Sequence, residues 1–98
     1  MARIKLVVVI CEEALEPVIQ PELLAAGARG YSVCEVRGRG ARGERDARWS
    51  LSANIRIEVL CSDAAAERIM AMVDSKFSAN YGLVVYVHDV DVLRADKF

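Results

Sequence analysis

Ile4 to Ile10 read IKLVVVI, six apolar residues in seven, three of them consecutive valines. β-branched side chains of this kind pack well on a pleated strand and lose rotamer freedom in a helix. A run this short and apolar fits a central strand with both faces buried. Glu12 and Glu13 follow almost at once, so the run is far too short to cross a membrane as a helix. No small-residue cleavage site follows it either, so it does not read as a secretory leader. A soluble, cytoplasmic protein is the expectation.

The remaining elements fall around this strand. Glu12 to Gly27 carries helix signals, with Pro17 suited to a first turn and Gly27 to a C-terminal stop. Pro21 has no backbone N–H, so the helix is either kinked there or begins near Gln20. GYSVCEVR at 30–37 alternates like a half-buried strand. NIRIEVLC at 54–61 alternates more cleanly. Ile55, Ile57, Val59 and Cys61 share one face; Asn54, Arg56, Glu58 and Leu60 share the other. Ser62 or Asp63 can cap a second helix. Its core stripe is Ala66, Ile69, Met70, Val73 and Phe77, with Glu67, Arg68, Asp74 and Lys76 off it. Asn80-Tyr81-Gly82 breaks that helix, Leu83 to Val87 forms a fourth strand, and HDVDVLRADKF reads as a short polar tail.

The order β-α-β-loop-β-α-β predicts an α+β, ferredoxin-like fold in one domain. Its four-stranded antiparallel sheet carries both helices on one face. A chain of 98 residues has a thin margin of stability. The other sheet face is left aliphatic and without a cover, which predicts self-association. Three cysteines, Cys11, Cys34 and Cys61, form no CxxC pair and read as buried free thiols of a reducing compartment.

Little in the sequence points to catalysis. The single histidine, His88, precedes Asp89 and Asp91, but in a strand 88 points away from both, which makes a metal site or dyad awkward. Ser50 and Ser52 have no base nearby in sequence, and no HExxH, GxSxG or Walker A pattern occurs. No catalytic residue and no metal ligand is assigned, and the chain is not expected to be an enzyme.

Charge is concentrated instead. Net charge is −1, yet residues 37–48 hold five arginines against Glu44 and Asp46. This segment, RGRGARGERDAR, is also glycine-rich. Gly38 and Gly40 leave backbone N–H groups open to a ligand, and guanidinium groups match phosphate oxygens in bidentate geometry. The combination suits a small anion; a solvated charged loop is the plainer alternative. RNA is not favoured, because neither central strand offers an aromatic for base stacking. No nucleic-acid partner is expected.

Four segments together resemble the PII signalling proteins: AGARGYSV at 26–33, RGRGARGER at 37–45, SANIRIEVL at 52–60 and KFSANYGLVVYV at 76–87. The likeness is closer to the PII-like subfamily associated with inorganic-carbon uptake and carboxysomes. The resemblance implies a homotrimer that binds an adenine nucleotide in clefts between subunits. It also implies a T-loop, here about 39–53, that contacts a partner. On this pattern Gly30, Tyr31, Ser32 and Val33 line the adenine or ribose pocket. Gly38, Arg39 and Gly40 form the turn that approaches phosphate, with Arg42 and Arg45 as clamps. Glu58, Val59 and Leu60 frame the adenine, and Asn80, Tyr81, Gly82 and Leu83 stand in the place of the facing B-loop. Strand packing for 31–33 and 58–60 and a simple turn at 80–82 are the plain alternatives.

The sequence also departs from the family pattern. The loop has no tyrosine, so uridylylation is not expected. The B-loop position has one glycine and no lysine, and the C-terminal Arg-x-Arg is reduced to Arg94. Fewer phosphate donors argue against tight triphosphate binding and 2-oxoglutarate sensing, and favour ADP, AMP or cyclic AMP. The paired-cysteine extension of some relatives has no counterpart after Phe98, so no redox switch is expected there. The resemblance further implies bicarbonate as a possible second ligand and a membrane bicarbonate transporter as the partner. A small ferredoxin-like enzyme using His88 or a cysteine, and a metal-tolerance-type trimer with Cys and His ligands, are the alternatives.

Overall fold

The computed structural model describes residues 1–38 and 53–98. Strand β1 (Ala2–Glu12) leads through a 3-10 turn (Glu13–Leu15) into helix α1 (Glu16–Ala25). Strands β2 (Ser32–Val36) and β3 (Asn54–Cys61) follow, then helix α2 (Asp63–Lys76) and strand β4 (Val84–Val92). The sheet order is β2-β3-β1-β4 and every pairing is antiparallel. This is the ferredoxin-like βαββαβ arrangement that the element order predicts.

β1 is central, and its alternation sorts the sheet into two unlike faces. Val7, Val9 and Cys11 pair with Val59, Ile57 and Ile55 and point to the helix layer. There they join Ile19 and Leu23 of α1 and Ala65, Ala66, Ile69 and Val73 of α2 in one buried core. The stripe read from the sequence is this core face, with Ala65 added and Met70 only half-buried. Ile4, Leu6, Val8 and Ile10 point the other way, where no helix lies. The apolar run is therefore only partly buried on this second face, where Ile4 and Val8 are covered. Val8 is shielded by its neighbours, while Leu6 and Ile10 remain half-buried.

The helix ends follow local chemistry. Ser62 is the residue that caps α2, its Oγ accepting from the Ala65 N–H at 3.1 Å. α1 starts at Glu16, earlier than Gln20, and runs through Pro21. Pro21 lies only in the second turn, and its missing N–H removes a single bond, the one to the Pro17 carbonyl. At the other end Gly27 N–H donates to the Leu24 carbonyl and Ala28 N–H to the Leu23 carbonyl, at 3.1 and 3.0 Å. This pair of bonds is a Schellman motif, and Gly27 takes the positive φ of 117° that the motif requires. Arg68 of α2 donates from Nε to the Ala26 carbonyl at 2.8 Å, and Lys76 pairs with Glu22 at 2.9 Å, so α2 is fastened to α1 at two points.

Two sequence expectations need correction. The segment after Val87 is not a tail: β4 continues to Val92. Ala2 and Arg3 extend β1 backwards beyond Ile4 and, with Ile4 and Lys5, supply this segment with a partner, in the register Lys5↔Asp89 and Arg3↔Asp91. Opposite charges face each other across the strands, with Arg3 Nε 3.2 Å from Asp91 and Lys5 hydrogen-bonded to Asp89. The Lys5 hydrogen bond, and then its charge, holds the Asp89 carboxyl below the ordinary carboxylate range. Cys34, expected to be buried, is exposed, because it lies on the uncovered face of edge strand β2.

Replacing Gly27 by alanine forces a side chain onto a positive-φ backbone, at a cost of about 1–2 kcal/mol. The new Cβ would also stand 2.6 Å from the flexible end of Arg68. Thermal unfolding of Gly27→Ala is expected roughly 4–16 °C below the wild type. An unchanged midpoint would contradict this account of the α1 terminus.

Candidate functional site

The residues singled out in the sequence separate into two groups on opposite edges of the sheet. Gly30 to Val33 enter β2, the outer strand on one side, and Glu58 to Leu60 lie beside them in β3. Asn80 to Leu83 lead into β4, the outer strand on the other side. With three inter-strand steps of about 4.8 Å, the outer strands stand roughly 14 Å apart. Residues 39–52, which include Arg39, Gly40, Arg42, Arg45 and most of the expected T-loop, lie outside the described residues.

On the β2 side the ladder leaves a notch. β2 pairs with β3 only from Ser32↔Glu58 to Val36↔Asn54, whereas β3 runs on to Cys61 against Lys5. The backbone edge of Val59 to Cys61 that faces away from β1 therefore has no strand beside it, and Gly30 and Tyr31 approach at that level. Val59 is fully buried with its side chain in the helix-side core. It can offer a ligand only backbone N–H and C=O. Glu58 and Leu60 alternate onto the uncovered face. Glu58 Oε2 lies 3.0 Å from Arg56 Nε, so its carboxylate already has an ionic partner. Tyr31 is half-buried and packs against the core, while Ser32 and Val33 are exposed.

The glycines of both groups are not explained by packing within one chain. A Cβ at Gly30, Gly38 or Gly82 would meet nothing within 4 Å. Among the described residues only Gly27 has a positive φ, so none of these three serves a left-handed turn. On the β4 side, the chain turns after α2 through N–H donations from Asn80 and Tyr81 to the Phe77 carbonyl, at 3.2 and 3.1 Å. The Tyr81 ring rests 5.9 Å from that of Phe77 and is partly exposed. Leu83 packs against the core.

Among the described residues no three His, Cys, Asp or Glu side chains gather into a metal-binding group. His88 lies on the open face beside Tyr86, their ring centroids 5.8 Å apart, while Asp89 alternates to the helix side and pairs with Lys5. The three acidic and imidazole groups of the HDVD segment are thus divided between two faces. No helix among the described residues is long and apolar enough to cross a membrane.

The sheet thus has one uncovered face, a long β2–β3 connection and a notch beside the β2 edge. The model of the family "Nitrogen regulatory protein P-II" matches residues 4–97, and the chain belongs to that family. Its fold is similar to that of a PII-like signalling protein from Thermus thermophilus, 34% identical, with a TM-score of 0.82 over 100% of this chain and 99% of the other. It is also similar to CPII from Thiomonas intermedia, 26% identical. CPII has been solved with ADP and bicarbonate (TM-score 0.84, covering 99% of this chain and 95% of CPII). It has also been solved with ADP, AMP and acetate (TM-score 0.83, covering 98% and 94%).

The three cysteines provide a check on the two faces. Cys11 and Cys61 are buried, and burial pushes both thiols up, that of Cys11 to about 11. Thiolate is the reactive form. A thiol reagent at pH 8 should therefore modify at most one cysteine, Cys34, in the folded protein and all three in guanidinium. Rapid modification of two or more in the folded state would contradict the assigned core.

Proposed function

We propose that the chain is a non-enzymatic PII-like regulator that binds an adenine nucleotide between the subunits of a homotrimer. The observation that carries this reading is the division of the candidate residues between opposite sheet edges of one chain. A cyclic assembly sets one protomer's β2 edge against the next protomer's β4 edge. That contact joins Gly30–Val33 and Glu58–Leu60 to the Asn80–Leu83 turn of a neighbour. It also gives the uncovered apolar face a partner. The empty space around Gly30, Gly38 and Gly82 is then where a ligand or neighbouring backbone approaches. The backbone edge of Val59 and Leu60 suits the hydrogen-bonding edge of an adenine ring, and Ser32 a ribose.

ADP and AMP are favoured as ligands. CPII, similar over almost its whole length, has been solved with both. In this chain Gly38, Arg39 and Gly40 approach the phosphates, and Arg42 and Arg45 clamp them. Few further cations are available for a third phosphate, which leaves cyclic AMP as an additional candidate. Bicarbonate, bound to CPII with ADP, is a second ligand for the loop arginines. Nucleotide contacts that differ between two arrangements of residues 39–53 would bias the loop toward or away from a partner. The proposed partner is a membrane bicarbonate transporter and the setting inorganic-carbon metabolism in the cytoplasm.

Titration calorimetry with ADP, AMP, ATP and cyclic AMP tests the nucleotide reading. ADP or AMP should bind well below millimolar and more tightly than ATP. Absence of binding by all four would sink the sensor reading. An Arg42→Ala, Arg45→Ala double variant should lose at least tenfold in ADP affinity; retained affinity would refute only the phosphate assignment.

A further inference from the structure

The open sheet face carries the chain's single imidazole. His88 points onto it from β4, directly across from Leu6 of β1. On its own strand the same face carries Tyr86 and Val90, and on β1 it carries Ile4 and Val8 on either side of Leu6. β3 adds Leu60 opposite Leu6. The charged groups that β3 presents on this face are Arg56 and Glu58, which pair with each other, and β1 adds Glu12 at its far end. Asp89 and Asp91 alternate to the other face and are held by Lys5 and Arg3. The imidazole thus sits in an apolar patch in which no charged side chain of its own chain adjoins it among the described residues.

We infer that His88 makes association of the chains through this face sensitive to pH, assembly being favoured when the imidazole is neutral. The inference rests on the trimer reading above. Val84, Tyr86, Leu6 and Ile10 give the patch its apolar area, and covering it removes His88 from water. Burial of a charge without a partner is costly, whereas a neutral imidazole needs only one acceptor for its N–H and one donor for its bare nitrogen. Imidazole is the side chain that ordinarily exchanges its proton between pH 5 and 8. A proton bound in the free chain and released on assembly opposes association more strongly as pH falls. Each such proton lowers the association constant by up to about tenfold per pH unit. Three copies multiply the effect, so a modest acidification has a large result.

Sedimentation equilibrium at pH 8.0 and pH 5.5 tests this, with far-UV circular dichroism to show that the fold persists. The wild type is expected to be trimeric at pH 8.0 and to dissociate measurably at pH 5.5, its association constant falling at least tenfold. His88→Leu should stay trimeric at both, and His88→Gln should lose the pH dependence while keeping a polar group. A wild-type trimer equally tight or tighter at pH 5.5 would overturn the inference and leave the trimer reading standing. The same pH dependence in His88→Leu would also overturn it. Single chains at pH 8.0 would overturn both.

Discussion

Two helices can cover one face of a four-stranded sheet and no more. The outer strands stand about 14 Å apart, and two helices packed roughly 8–10 Å between axes span that width. In this chain α1 and α2 are spent on the face that carries Val7, Val9, Ile57 and Val59. The opposite face keeps Leu6, Ile10, Leu60, Val84 and Tyr86 only partly shielded. The chain has no third layer among its described residues to place there. Much of what distinguishes the molecule follows from that asymmetry. The proposed trimer answers that asymmetry: copies of the chain would cover the open face, and a ring would bring unlike sheet edges, and with them the two halves of the proposed site, together.

The helix layer was legible in the sequence because its rules are local. Ser62 caps α2 through a bond three residues away, and the Ala66, Ile69, Val73, Phe77 stripe has helical spacing. Gly27 ends α1 as its position suggests. Of the two readings of Pro21, the later start fails, because the rule for proline concerns a hydrogen bond and only one bond is lost so near the helix start. β4 was read too short for a different reason. Asp89 and Asp91 look like the polar start of a tail until Arg3 and Lys5 stand opposite them. The signal was present as two short alternations of opposite charge, far apart in the chain. Only the sheet register joins them. Cys34 belongs to the same class of error, since an alternating strand gives no hint that it lies at an edge.

The candidate site was legible only as a resemblance. Nothing in Tyr31, Glu58 or Tyr81 taken singly marks a ligand. The structure adds physical content at three points. β2 stops pairing at Ser32, leaving the backbone of Val59 and Leu60 beside a gap. Val59 itself is buried, so its side chain is structural and any recognition there is by main chain. Gly30, Gly38 and Gly82 have room that their own chain does not use. None of these could be read from residue identity, because each depends on what a neighbouring strand does or fails to do.

The central claim is that one chain holds only half of each ligand site. Native mass spectrometry of the protein with ADP, across a dilution series that populates both trimers and single chains, measures this directly. The account predicts up to three ADP on each trimer and none on single chains at the same ADP concentration. Stoichiometric ADP on single chains would contradict it.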